Sequence, residues 1–143
     1  MKLTTRGHYS VKAMLDLSLE PGLAPVRLIA ARQNLPAPYL EKLLIELRRA
    51  GLIESVRGAH GGYRLAKLPA QISLGQILDA VHEPITPKEM SPTDCAEDWV
   101  TLTLWRRLQE KLREALYSIS LEELYFDARS WQAAQGEGTN FMV

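Results

Sequence analysis

Residues 26–51 read VRLIAARQNLPAPYLEKLLIELRRAG, and the way this stretch folds decides the architecture of the chain. Leu28, Ile29 and Ala31 suit a short helix that Asn34 and Pro36 close. Pro38 then falls where a first helical turn tolerates proline, because its missing N–H would have had no partner there. Leu40, Leu43, Leu44 and Leu47 recur at steps of three and four, and Gly51 supplies the stop. A short helix, a tight turn and a longer amphipathic helix make a helix-turn-helix.

Immediately downstream, residues 55–67 read SVRGAHGGYRLAK. A phosphate-cradling P-loop would end in Gly-Lys-Ser/Thr and enter a helix, and a dinucleotide fingerprint would need its own glycine spacing. Neither pattern is present, and the residues that follow read as a strand. Leu52–Val56 and Tyr63–Ala66 are therefore predicted strands, joined into a hairpin by the glycine-rich turn. Gly58, Gly61 and Gly62 permit positive φ angles that other residues resist. Upstream, an apolar pattern from Tyr9 to Leu19 predicts a first helix, with Thr4 or Thr5 able to cap it. Three helices followed by such a hairpin describe a winged helix, mainly α, with a two-stranded wing.

Beyond the wing, LGQILDAV predicts a short helix, and HEPITPKEMSPTDCAED, with three prolines, predicts a loop. A long helix is predicted from about Trp99 to Ser118. Trp105, Leu108, Leu112, Ala115 and Ile119 lie at alternating steps of three and four, the seam spacing of paired helices. This seam predicts a partner subunit. Ser120 and Glu123 form a capping box for a short last helix, and the tail QGEGTNFMV has little to bury.

The 143 residues suit one domain with an appended element. No apolar run is long enough to span a bilayer, and the N-terminus lacks a secretion pattern. One cysteine, Cys95, rules out an intramolecular disulfide framework and fits a reducing cytoplasm. The formal net charge of zero hides an asymmetry. Through residue 70 eleven Lys/Arg face five Asp/Glu, and from 71 onward six face twelve. A basic first half suggests a polyanion as partner.

These residues suggest double-stranded DNA. Pro38, Tyr39, Glu41 and Lys42 open the second helix of the helix-turn-helix, where base edges are read. Glu41 can accept from a cytosine amino group, and Lys42 can donate to guanine or phosphate. Arg57 and His60 project from the turn, with Arg64 on the return strand, and an arginine on a thin ribbon suits a narrow minor groove. Lys2, Arg6 and Tyr9 can hold phosphates. No catalytic constellation is present: His8, His60 and His82 form no spaced motif with Cys95, and no zinc-ligand pairs occur.

Three segments, MKLTTRGHYSVKAMLDL, PAPYLEKLLIELRRAGLIESVRGAHGGYRLAK and LGQILDAVHEP, resemble the IscR/NsrR/CymR group of bacterial regulators, the Rrf-two family. TLWRRLQEKLREALYSISLEEL resembles that family's long dimer helix and the segment after it. The resemblance implies a cytoplasmic homodimer binding a roughly palindromic operator, with helix 38–50 in the major groove and Arg57 in the minor groove. The chain then divides into a winged-helix DNA-binding domain (1–81), a sensor-region loop (82–98), a dimerisation helix with a following short helix (99–128), and a disordered tail (129–143). A winged-helix protein–protein adaptor is the competing class.

Iron–sulfur members of that family carry three cysteines before the long helix, where this chain offers only Cys95. Thiolates are the usual cluster ligands, so a standard site is absent and no cofactor is assigned. Three sensing modes remain open. One is a regulatory protein or small ligand, another a redox switch at Cys95, and the third an unusual cluster recruiting His8 from a partner's first helix. Asp94, Glu97 and Asp98 around Cys95 disfavour its thiolate and dull its reactivity.

Overall fold

A computed structural model describes residues 2–85 and 95–141, with 137–141 described by backbone alone. Helix α1 (Thr5–Leu19) starts where Thr4 caps it, the Thr4 hydroxyl accepting the Gly7 N–H at 3.3 Å. This cap, rather than the apolar pattern that begins at Tyr9, sets the helix start. Helix α2 (Val26–Gln33) ends at Asn34, whose φ of 55° is a left-handed conformation that asparagine tolerates. Helix α3 (Ala37–Arg49) buries Leu40, Leu43, Leu44 and Leu47. Gly51, at φ 78°, then turns the chain into the sheet.

A charged latch holds α1 to α2. Asp16 is buried, and it accepts from Arg32 Nε at 3.0 Å, Arg32 Nη2 at 2.7 Å and Gln33 Nε2 at 2.8 Å. The hydrogen bond to Asp16, reinforced by its charge, holds the Arg32 guanidinium above its ordinary value against partial burial. Lys12 Nζ adds a bond to the Gln33 carbonyl at 2.7 Å.

Strands β1 (Ile53–Val56) and β2 (Gly62–Leu65) pair antiparallel, with Ile53 opposite Leu65 and Val56 opposite Gly62. Near its turn, this hairpin is anchored to the loop before α2. Ala24 and Tyr63 exchange backbone bonds of 2.9 and 2.8 Å. Helix α4 (Leu74–Ala80) opens with a reciprocal capping box between Ser73 and Gln76. The winged helix expected from the sequence is the fold observed.

Helix α5 (Ala96–Ser118) begins three residues before Trp99, because Glu97 and Asp98 suit a helix N-terminus. A sharp joint at Ile119–Ser120 follows. There Leu74 N–H donates to Ile119 O and Leu121 N–H to Ile72 O, both at 2.8 Å. Helix α6 (Leu121–Phe141) is longer than expected. A short helix followed by a disordered tail from residue 129 is not what the structure has, because Gln132, Ala133, Ala134 and Gln135 are good helix formers that extend α6.

The main core gathers α1 to α4 around Met14, Ile29, Leu44, Ile72 and Leu121. A second, smaller core joins Leu78, Ile85 and Leu116, with Leu3 and Leu112 packed on it. Asp79 of α4 also meets Arg113 and Tyr117 of α5, while much of the rest of the helix surface is exposed. Leu116 is its one buried residue, while Trp99, Val100, Leu104, Trp105 and Leu108 are exposed. The five seam residues are therefore divided: Trp105, Leu108 and Ala115 are exposed, and Leu112 and Ile119 are half-buried against their own chain.

Candidate nucleic-acid interface

Because α3 turns its leucines inward, its opposite face carries Pro38, Glu41 and Lys42, all exposed. Tyr39 is different. It is half-buried and meets Tyr9 edge-on, with ring centroids 5.9 Å apart, and both rings pack on the core. The pair joins the first half of α1 to the opening turn of α3. Arg48, in the last turn of α3, donates to Ser55 Oγ of β1 at 3.2 Å and so ties the helix to the wing.

At the wing tip Arg57, Gly58, Ala59 and His60 are exposed. Gly58 (φ 116°) and Gly62 (φ 153°) use glycine's conformational freedom. Gly61 does not take a positive φ, contrary to expectation. Its requirement is space, since a Cβ there would lie 2.0 Å from the Val56 carbonyl oxygen. Arg64 sits directly across the ladder from Glu54 and is ion-paired with it. Its charge is therefore answered within the wing, which leaves Arg57 and His60 as the groups presented at the tip.

Lys2 is exposed, whereas Arg6 is half-buried and donates from Nη2 to the His82 carbonyl at 3.0 Å. Arg27 was missed in the sequence reading. It is exposed in the first turn of α2, next to the loop that pairs with Tyr63 of the wing, and its position directly after Pro25-Val26 was the available signal.

A family profile described as "Rrf2: Iron-dependent Transcriptional regulator" matches residues 3–127. The chain belongs to the Rrf2 family of transcriptional regulators. It is similar over its whole length, at 63% identity, to a candidate HTH-type transcriptional regulator of Synechocystis sp.. It is 42% identical to the transcriptional regulator IscR of Aliivibrio salmonicida, over 89% of this chain and 79% of that protein. Among solved structures, the global cysteine regulator CymR of B. subtilis superposes with a TM-score of 0.76 at 35% identity, over 87% of this chain and 96% of that one. T. potens IscR gives the same TM-score at 39% identity, over 92% and 91%. These Rrf2 relatives are transcriptional regulators, not enzymes. Among the described residues no helix is long and apolar enough to cross a membrane.

Most of the expected sensor loop of this Rrf2 protein, residues 86–94, lies outside the described residues. Cys95 is exposed at the N-cap of α5, and its thiol donates to Glu97 Oε2 at 2.8 Å. That bond holds the Glu97 carboxyl below its ordinary value. His8 is exposed on α1. Among the described residues no three His, Cys, Asp or Glu side chains converge as a metal site requires. One thiol per chain, engaged with a carboxylate, does not fit a thiolate-held iron–sulfur cluster.

Proposed function

We propose that the protein is a cytoplasmic homodimeric regulator that reads a palindromic operator. Helix α3 would enter the major groove with Pro38, Glu41 and Lys42 toward the base edges, and the wing would carry Arg57 into the adjacent minor groove. Lys2 and Arg27 are suited to the phosphates, whereas the core packing of Tyr9 and Tyr39 and the pairing of Arg64 give them positioning roles. The exposed apolar face around Trp105 and Leu108 would pair with its copy in a second subunit. Two copies of α3 related by a two-fold axis match two half-sites of an inverted repeat.

The single observation that carries this reading is the exposed Pro38–Glu41–Lys42 face of α3, in a chain of the Rrf2 regulator family. For the signal, a protein partner, a small ligand or oxidation of Cys95 accords with the single-thiol donor set better than a cluster does.

The direct test is binding of the full chain to random duplex DNA over a range of salt concentrations. Counterion release gives a slope of about −0.9 in log K against log salt for each phosphate neutralised. A steep decline is expected. Flat or absent binding would favour the protein–protein adaptor.

A further inference from the structure

Glu83 is a buried carboxylate, only 4% exposed, on the segment that leaves α4. Among the described residues the carboxylate's hydrogen-bond partners lie at the opening of α1. Oε1 accepts the Thr4 backbone N–H at 2.9 Å, and Oε2 accepts the Thr4 hydroxyl. The same hydroxyl accepts the Gly7 N–H, so one carboxylate stands behind the N-cap of α1. The approach is close: a Cβ at position 7 would lie 2.7 Å from Glu83 Oε2, so the carboxylate would have to shift. One residue earlier, the His82 carbonyl accepts from Arg6. Two residues later, Ile85 packs in the second core, where Leu3 and the α5 residues Leu112 and Leu116 also meet. The N-terminal arm is thus held by Glu83, His82 and Ile85 together.

Burying a carboxylate is unfavourable unless hydrogen bonds compensate, and here those bonds are directed at the residue that caps α1. Lys2 lies two residues before Thr4 and is exposed. Resting on the DNA-binding reading above, we infer that Glu83 is a positioning residue for DNA binding. Its carboxylate seats the N-terminal arm so that Lys2 meets the phosphate backbone. Because Leu3 and Ile85 share a core with α5, this seating also ties the arm to the long helix.

The test compares the salt slope of duplex binding for the parent, Lys2→Ala, Glu83→Ala and the double variant, with thermal unfolding measured alongside. Lys2→Ala is expected to reduce the slope by about one phosphate's worth. Glu83→Ala should produce the same loss, the double variant should lose no more than either alone, and Glu83→Gln should recover most of it. A Glu83→Ala protein that melts earlier but keeps the parental slope would make the residue merely structural and overturn the proposal. So would losses that add in full. If Glu83→Ala does not fold, Thr4→Val takes its place, since it removes the hydroxyl bond and keeps the backbone one. A partial loss of slope is then expected, and a parental slope overturns the proposal. Flat binding by the parent would overturn the DNA reading and this one with it, whereas a steep parent with unchanged variants would overturn this one alone.

Discussion

Arg57 and Gly61 sit four residues apart in one turn and act in different ways. Arg57 is exposed at the wing tip, while Gly61 lets the turn close against the Val56 carbonyl. Arg57→Ala is expected to weaken operator binding by about 1–3 kcal/mol, roughly fivefold to 150-fold, with the unfolding midpoint unchanged. Gly61→Ala should weaken binding as well, by displacing the tip, since a Cβ at 2.0 Å cannot be accommodated without backbone movement. Binding titrations and thermal melts on both variants check this. Parental affinity in Arg57→Ala would mean that the wing does not reach DNA. The glycine-rich composition of this turn was legible in the sequence, but the separate reason for Gly61 was not. It depends on an oxygen five residues away that only the folded hairpin brings near.

Among the elements, the contact between α4 and α5 carries the most specific chemistry. Asp79 on α4 accepts from Arg113 Nη2 at 3.2 Å and from the Tyr117 hydroxyl, both on α5. The Arg113 guanidinium lies 4.9 Å from the Tyr117 ring centroid. The ring lies so close to α4 that a Cβ on Gly75 would fall 2.2 Å from it. Gly75→Ala is therefore expected to destabilise the protein by about 1–3 kcal/mol in urea unfolding, and a Tyr117→Ala background should relieve most of that loss. The hydrogen bond to Asp79, followed by burial, holds the Tyr117 phenol above its ordinary value of 10.0. A raised value means that folding favours the protonated form. Its contribution is intact below pH 10.0 and is lost as pH rises through the higher folded value. Loss of stability in that alkaline range should be smaller in Tyr117→Phe than in the parent. None of this lock was readable beforehand, because Gly75, Asp79, Arg113 and Tyr117 are brought together only by tertiary packing. Helix α3, by contrast, was legible to within one residue at each end, since its leucine spacing and its proline and glycine boundaries are local signals.

At the scale of the molecule, the basic first half of the chain folds into the winged helix, and the acidic second half supplies two long helices. The long apolar helix was legible from its periodicity, but its division was not. Leu112 and Ile119 turn partly toward their own chain, while Trp105 and Leu108 remain exposed. The reach of α6 to Phe141 was also missed, because glycine-containing, polar sequence gives a weak helical signal even where a preceding helix can extend through it. An exposed aromatic and leucine face on α5 suits association of two chains, and a two-fold dimer of the kind proposed would present two copies of α3 to DNA. Selection of duplexes from a random library by the full chain tests this most directly, with sequencing of the bound fraction. Enrichment of an inverted repeat is expected, with base preference in each half-site relaxed in Glu41→Ala and overall affinity reduced in Arg57→Ala. A bound fraction with no enriched sequence, or one whose preferences are untouched by Glu41→Ala, would contradict that reading.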